Sequence, residues 1–353
     1  MNRNRHTADP RQQGLTLVEL MIAMTISLLL LGGVIQIFLS NKQTYRVQEG
    51  LSRVQENTRF AFSRISRDIR MVGFQGCSNL EQITPNIIAS PPITLNLSTI
   101  VNGLDNVGSG NAFGALAGTD TITLRSGSPS TVQLTGNMTA DNANIQISSN
   151  PDNFAAGDYL FITDCAQADL FRATSVSSGS GMVTIAHANN MNTTNRLSKP
   201  YQTDAMLMRL NETSYFVRDT GATDQSGNPI YGLYLRSGIG AAATDFLLVD
   251  GIQDLQITYG VNSDDSDDYS VDSYESAATL NTNSAVAPNT DRLGIADWSD
   301  VVSVRLSILA HTLEDVSPQT QPYSFNGTTV NNPGDRRLRR SFTTTITLRN
   351  RTS

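Results

Sequence analysis

The pattern of apolar and polar positions divides the amino-terminal part of the 353-residue chain into two consecutive helical segments. Leu20 to Leu39 is a run of about 20 mostly apolar residues, which is long enough to cross a bilayer once as a helix. From Asn41 to Val72 the apolar residues recur every three or four positions, so one amphipathic helix is predicted to continue from the span. Its apolar stripe consists of Val47, Leu51, Val54, Thr58, Phe62, Ile65, Ile69 and Val72.

Residues 73–353 alternate short apolar runs with loops rich in Ser, Thr, Asn and Gly, which predicts a β-rich head in one or two lobes. The segments 96–118, 220–229 and 262–290 are predicted to be loops or linkers. The predicted strands are Thr121–Leu124, Tyr159–Thr163, Met182–Ala186, Ala205–Leu210 paired across a turn with Ser214–Arg218, Gly232–Arg236, Phe246–Val249, Leu255–Tyr259, Val301–Leu309 and Phe342–Leu348. The expected fold is α+β, with a long N-terminal helix packed on a large globular head.

One charged residue, Glu19, interrupts the apolar segment that begins at Leu15. A carboxylate well inside hydrocarbon costs about 2.5 to 3.5 kcal/mol, so a partner is expected to neutralise it. Residues 1–14 form a basic leader that ends at Gly14, before the apolar run rather than after it, unlike a secretory signal. The alternative is a plain membrane anchor that tolerates an acid near the interface.

The stretch from Gly14 to Ile22 resembles the type III signal of type IV pilins and of type II secretion pseudopilins. The resemblance implies a pilin-like fold, in which the helix is the spine. It also implies that a prepilin peptidase cleaves after Gly14 and methylates the new amino terminus at Leu15, where the family more often has phenylalanine. In a filament, Glu19 of one subunit would then pair with the cationic amine of a neighbour's Leu15.

Cys77 and Cys165 are the two cysteines of the chain, and both lie in the predicted head. With only two cysteines, one intrachain pairing is open to them. In an oxidising periplasm we expect them to form a disulfide, and two separate buried thiols are the alternative.

Five segments together are similar to the PilW family of type IV pilus minor pilins. They are the N-terminal block, 67–77, 157–165, 249–256 and 337–351. The resemblance implies a minor pilin in an initiating complex at or near the pilus tip, which primes assembly. The implied partners are other minor pilins, the major pilin, the prepilin peptidase, the inner-membrane assembly platform and a tip adhesin. The alternatives are a minor pseudopilin of type II secretion, and a pilus-tip module that binds DNA or a host surface.

The implied location is the bacterial inner membrane, crossed once, with a periplasmic head that enters the extracellular pilus. The leader carries a net charge of plus two, Glu19 minus one and the segment 41–72 plus four. Because the chain total is minus seven, the part after Arg70 carries minus twelve. This asymmetry is a candidate guide for subunit packing.

The sequence offers little catalytic chemistry. The three histidines, His6, His187 and His311, have no metal-ligand spacing, and each is interpreted as a surface or core residue. The motifs of metalloproteases, thiol oxidoreductases, serine hydrolases and nucleotide-binding loops are missing from the sequence. We therefore predict that the protein is not an enzyme and that it binds no cofactor and no metal.

Two charged clusters have competing interpretations. Asp264, Asp265, Asp267, Asp268 and Asp272 lack the spacing of an EF-hand, so a solvated acidic loop is favoured over a calcium site. The arginines at positions 336, 337, 339 and 340 precede an alternating strand without interleaved aromatic residues. Subunit salt bridges or a solvated strand edge are therefore favoured over binding of nucleic acid.

Overall fold

The computed structural model describes residues 15–77, 80, 82–179, 181–263, 270–286 and 295–351. The chain divides into two compact units, with the boundary between Gly50 and Leu51. Helix α1, Leu17–Arg70, runs through that boundary. In the first unit every described side chain from Leu15 to Lys42 is exposed, including large apolar ones such as Leu29, which is 73% exposed. Such a surface is not suited to water and needs a lipid or protein environment.

In the second unit, the part of α1 that begins at Leu51 buries one face. Its buried residues are Val54, Thr58, Ala61, Ile65 and Ile69. Four of these belong to the predicted apolar stripe, so the amphipathic pattern is confirmed in this part. The helix ends at Arg70, two residues earlier than the pattern predicts, although Val72 is also buried. Polar contacts fix the helix, since Asn57 donates to Asp250 and Tyr215 donates to Asp68.

The described part of the head contains 18 strands and a second helix, α2. In chain order the strands are β1 Asn86–Ile87, β2 Val101–Leu104, β3 Thr121–Gly127, β4 Val132–Gln133, β5 Ile145–Ile147, β6 Tyr159–Thr163, β7 Ala168–Arg172, β8 Ser175–Gly179, β9 Met182–Ala186, β10 Met206–Thr223, β11 Pro229–Ser237, β12 Thr244–Asp250, β13 Ile252–Val261, β14 Ser273–Glu275, β15 Val301–His311, β16 Tyr323–Phe325, β17 Thr328–Val330 and β18 Arg339–Thr347. Helix α2 is Ala277–Val286.

The largest sheet has nine strands, in the order β1-β7-β6-β10-β11-β12, with β3 and β4 also pairing with β10, and β2 pairing with β3. A second sheet has the order β14-β13-β15-β18, a third has β5-β9-β8, and β16 and β17 form a hairpin. In the second sheet Val304 lies opposite Ile346 and Ile308 lies opposite Phe342, as the alternation of these two segments predicts. The buried apolar side chains form one large cluster that includes α1, a second cluster around Ile145, Leu160 and Phe171, and a small third cluster around Phe216 and Tyr234.

The predicted turn between Ala205–Leu210 and Ser214–Arg218 is wrong. The structure has one continuous strand of 18 residues, β10, through this region. Asn211 and Glu212 lie opposite Ser126 and Arg125 of β3. Their polar side chains suggested a turn, but they are half-buried members of a strand pair, and the Arg125 guanidinium binds the Glu212 carboxylate at 2.7 Å.

The three predicted loops also contain regular structure. Strand β2 lies in 96–118, the end of β10 lies in 220–229, and β14 and α2 lie in 262–290. Helix α2 is weakly amphipathic, and its tertiary contacts explain why it forms. Asn281 accepts a hydrogen bond from Trp298 at 3.0 Å and donates to Gly103 at 3.1 Å, and Leu280 is buried.

A buried arginine fixes the carboxy-terminal part of the described chain. The Arg351 side chain donates from Nη1 to the carbonyl oxygens of Trp298, Ser299 and Val301, at 2.8 to 2.9 Å, and from Nη2 to that of Leu97. Next to it, Asn350 donates to the carbonyl oxygen of Val72 at 2.8 Å. These bonds join the segment after β18 to the segment that follows α1.

Candidate functional site

The start of α1 is organised by a reciprocal pair of hydrogen bonds between Thr16 and Glu19. The Thr16 hydroxyl accepts from the backbone N–H of Glu19 at 3.3 Å, and Oε2 of Glu19 accepts from the backbone N–H of Thr16 at 3.2 Å. This arrangement is a capping box, which satisfies two N–H groups that the first turn of a helix leaves unpaired. The Thr-x-x-Glu spacing of Thr16 and Glu19 is the sequence signal of this box.

Glu19 is also the only charged residue between Leu15 and Ser40. Its side chain is exposed, and no cation in the described part of the chain forms an ion pair with it. A carboxylate near a helix N-terminus is stabilised by the helix dipole, but the dipole does not neutralise it in a membrane. Within one subunit the carboxylate is therefore hydrogen-bonded but has no cationic partner among the described residues.

Of the two residues at the predicted cleavage junction, the structure describes only Leu15. Leu15 precedes the helix and is 77% exposed, whereas Gly14 lies outside the described residues.

The predicted disulfide is present. Cys77 and Cys165 are bonded, with their Cα atoms 5.4 Å apart. The bond joins the segment after α1 to the four-residue turn between β6 and β7, where Asp164 accepts hydrogen bonds from the backbone N–H groups of Ala166 and Gln167. In the chain-entropy model, closing a loop of this length adds about 4 kcal/mol to the free energy of unfolding. The bond is typical of a protein that folds in an oxidising compartment.

The arginine cluster near the carboxy terminus is used differently from the prediction. Arg337 is buried, and its Nη2 donates to Asp224 at 2.7 Å and its Nη1 to the carbonyl oxygen of Pro229 at 2.8 Å. Although burial opposes ionisation, hydrogen bonds from Asn228 and Arg337 lower the pKa of Asp224 to about 2. The expectation of subunit salt bridges or a solvated edge is therefore wrong for Arg337.

It is also wrong for Arg339, whose guanidinium donates to Asp335 at 2.6 and 2.7 Å and to Gln253 at 2.7 Å. The same guanidinium lies 5.0 Å from the centre of the Tyr323 ring. By contrast, Arg336 and Arg340 are exposed. The sequence could not separate these four arginines, because Asp224, which pairs with Arg337, and Gln253, which accepts from Arg339, come from distant segments.

Two of the three histidines lie in the described residues, and both are buried. The ring of His187 forms a hydrogen bond with the carbonyl oxygen of Ala143 at 2.9 Å, and that of His311 with Thr312 at 2.8 Å. His6 lies outside the described residues, as do the four aspartates from 264 to 268. Asp272 is described, and it accepts from the Ser263 backbone at 2.7 Å. In the described ranges no cluster of three His, Cys, Asp or Glu is arranged to hold a metal ion.

An amino-terminal apolar helix with a single acid in its first turn, followed by a β-rich head, defines the chain as a type IV pilin-like protein. Residues 9–35 match the model of the prokaryotic N-terminal methylation motif. Residues 214–350, which run from the middle of β10 to three residues after β18, match the model of type IV pilus-assembly protein W. No curated protein and no solved structure gives a significant match. Together these two matches support a type IV pilus protein that is similar to the PilW family.

This assignment fixes the location of the protein. Helix α1 is the one described helix that is long and apolar enough to cross a membrane. With the methylation motif before it, the helix anchors the pilin in the bacterial inner membrane, from which the protein is incorporated into the pilus. A type IV pilus protein acts by contact with other pilus components.

Proposed function

We propose that this protein is a minor pilin of the initiating or tip complex that primes assembly of the type IV pilus. A prepilin peptidase cleaves it between Gly14 and Leu15 and methylates the amine of Leu15. The chain is then a substrate of that enzyme and catalyses no reaction of its own. Its partners are other minor pilins, the major pilin and the inner-membrane assembly platform, and a tip adhesin is a further partner.

The observation that carries this proposal is the unneutralised Glu19 carboxylate in an exposed apolar segment. Cleavage after Gly14 creates a cationic amine four residues before Glu19 in every subunit. When subunits stack, the amine of one subunit and the Glu19 carboxylate of another neutralise each other in apolar surroundings, where an isolated charge is most costly. The capping box places Glu19 at the start of α1, near the new amino terminus.

The test separates the charge of Glu19 from its role as a helix cap. Glu19→Gln removes the charge but keeps a side chain suited to the capping box, whereas Thr16→Ala removes the capping hydroxyl but keeps the charge. We expect Glu19→Gln to reduce the amount of this protein in sheared pili, and the number of pili, by at least about tenfold, which corresponds to about 1.4 kcal/mol. Thr16→Ala should stay close to wild type. Immunoblots of the pilus and membrane fractions provide the measurement.

Normal incorporation of the Glu19→Gln variant would refute the charge-pairing proposal. A mass spectrum of the mature protein that starts at a residue other than Leu15 would refute the cleavage assignment.

Deletion of the gene tests the role in the pilus as a whole. Loss of surface pili and of twitching supports pilus initiation. Loss of exoprotein release with intact pili would instead indicate a type II secretion pseudopilin, and normal piliation with poor attachment or DNA uptake would indicate a binding tip.

A further inference from the structure

The head contains a half-open groove with a volume of about 380 Å³ that pilus assembly, as proposed above, does not use. One wall is the start of β13, with Gln253, Asp254 and Gln256. The β16–β17 hairpin also lines the groove, with Tyr323 and Asn326 among its residues, as does Tyr231 of β11. The volume lies within the range of about 300–1,000 Å³ that is typical of small-molecule sites.

A β-bulge turns three polar side chains of β13 toward this groove. Ile252 pairs with Ala310 and Asp254 pairs with Leu309, so Gln253 is an extra residue in β13. Because of the bulge, both Ile252 and Leu255 are buried although they are three residues apart, which regular alternation does not allow. Gln253, Asp254 and Gln256 therefore share the groove side. Bulges often re-aim side chains in this way beside binding sites.

Hydrogen bonds fix the polar side chains of the groove in place. Gln256 donates from Nε2 to the carbonyl oxygen of Gly118 at 3.0 Å and to Asp254 at 2.9 Å, and its Oε1 accepts from Asn326 at 2.9 Å. On the other side of Asp254, Oε1 of Gln253 accepts from Arg339 at 2.7 Å. These bonds fix which end of each amide is the donor, so the wall is preorganised.

The groove offers a ligand both hydrogen-bond donors and hydrogen-bond acceptors. The amide nitrogen of Gln253 remains as a donor, and the amide oxygen of Asn326 remains as an acceptor. The Asp254 carboxylate accepts from Gln256 and from the Leu255 backbone, and a carboxylate has lone pairs for further hydrogen bonds. No cation among the described residues pairs with Asp254, and burial raises the pKa of this carboxyl, although hydrogen bonds from Gln256 and the Leu255 backbone oppose the shift.

This set of donors and acceptors matches hydroxyl groups, each of which both donates and accepts. A lysine or arginine side chain has only hydrogen-bond donors, so it could not accept a hydrogen bond from the Gln253 amide nitrogen. Aromatic rings of Tyr231, Tyr323 and Phe325 line the same groove and offer apolar surface for the C–H face of a ring.

We propose that this groove binds a small neutral saccharide. Asp254 and Asn326 accept hydrogen bonds from its hydroxyl groups, Gln253 donates to one of its oxygens, and the aromatic side chains contact its apolar face. The proposal goes beyond the assembly function and does not depend on it, because each group that carries it lies in the head.

The test uses the full chain in lauryldimethylamine oxide micelles, because a glycoside detergent would itself present sugar to the groove. The probes are glucose, galactose, mannose, N-acetylglucosamine, their β-methyl glycosides, lactose and cellobiose, and the tripeptides Gly-Lys-Gly and Gly-Arg-Gly. Saturation-transfer NMR detects binding, and calorimetry gives the Kd. Comparison of free sugars with methyl glycosides shows whether the groove takes a reducing sugar or a sugar within a glycan.

We expect at least one sugar to bind, and Asp254→Asn to weaken it by about tenfold or more. Gln253→Glu is the sharper variant, because its carboxylate keeps the bond to Arg339 but loses the donor. It should weaken a sugar and strengthen a cation. Asp204→Asn, in an exposed segment outside the groove, is the matched control and should bind like wild type.

Failure of the wild-type chain to bind any sugar of the panel would overturn the proposal. Equal sugar affinity in wild type, Asp254→Asn and Gln253→Glu would place the sugar elsewhere and would also overturn it. Binding of a tripeptide that Gln253→Glu strengthens, without sugar binding, would identify the groove as a site for a basic peptide segment instead. Circular dichroism of each variant confirms that a loss of binding is not a loss of fold.

Discussion

At the scale of single residues, the head holds its buried charges and rings by specific internal partners. His311 at the end of β15 is an example, since its ring lies in the core and donates from Nδ1 to the carbonyl oxygen of Thr312 at 2.8 Å. Burial and the nearby positive charges of Arg337 and Arg339 together lower the pKa of His311 to about 4, although the bond to Thr312 opposes the shift. The ring is therefore neutral at physiological pH.

This shift predicts a pH dependence of stability. The pKa of His311 in the folded protein, about 4, lies below the ordinary value of 6.5, so the unfolded chain binds the proton more readily between these values. Stability contributed by the neutral ring is complete above pH 6.5 and is lost as the pH falls toward 4. The loss amounts to about 3 kcal/mol over this interval.

His311→Asn keeps a donor for Thr312 but removes the titration. Denaturant unfolding of both proteins between pH 4 and 8 checks the prediction, because the difference between them cancels other titrating groups. A difference that stays constant with pH would contradict it.

At the scale of elements, β10 joins the strands of the largest sheet, pairing with β4 and β6 through its first residues and with β3 and β11 further along. Its polar middle is stabilised by the ion pair between Arg125 and Glu212, whose side chains are 23% and 19% exposed. Arg125 also donates to the carbonyl oxygen of Thr94 at 3.1 Å. The pair therefore supports both the strand and the adjacent loop.

We expect Glu212→Ala to destabilise the protein by about 1–3 kcal/mol, because it leaves a partly buried guanidinium without its carboxylate. A double-mutant cycle with Arg125→Ala, measured by denaturant unfolding, should give a coupling energy of about 1 kcal/mol or more. Additive effects of the two substitutions would show that the pair does not stabilise β10.

Elements with strong local periodicity were predictable, and elements held by distant partners were not. The stripe of α1 and strands β6, β9 and β15 follow patterns that are visible in the sequence. Strand β14 and helix α2 have weak patterns. They form because β14 pairs with β13 and Trp298 donates a hydrogen bond to Asn281 of α2. The β16–β17 hairpin was predictable from the consecutive residues Asn326 and Gly327. Both have positive φ, which a two-residue hairpin turn requires and which these residue types favour.

The same distinction holds for the sites. Glu19 and the cysteine pair could be selected from sequence, because their residue types are unusual in their surroundings. The groove could not, because the bulge that turns Asp254 outward depends on pairing with a strand about 50 residues later. Residues 249–256 were singled out only through resemblance to a family.

At the scale of the whole molecule, the distribution of charge is the property most relevant to assembly. The part of α1 from Leu51 to Arg70 exposes Arg53, Arg59, Arg64, Arg67 and Arg70, with Phe60 among them at 54% exposure. The remainder of the chain after Arg70 has a net charge of minus twelve. Opposite charges on neighbouring subunits would increase the rate and the specificity of their association.

We therefore expect the double charge reversal Arg59→Glu and Arg67→Glu to lower incorporation into pili by about tenfold, because it opposes an acidic neighbour. The matched control, Arg59→Lys with Arg67→Lys, keeps the charge and should assemble normally. Immunoblots of sheared pili measure incorporation, and thermal unfolding verifies that both variants are folded. Equal incorporation of the two double variants would exclude a role for this charge.

The burial of Arg351 determines where an epitope tag can be placed on this protein. Its guanidinium binds four carbonyl groups, so a truncation that removes it, or a fusion that displaces it, leaves those acceptors unpaired inside the head. A tag ahead of Gly14 would leave with the leader if the proposed cleavage takes place. Detection of the mature protein is therefore best served by an insertion in the exposed turn between β10 and β11, at Gly227, where an added side chain meets no neighbouring atom.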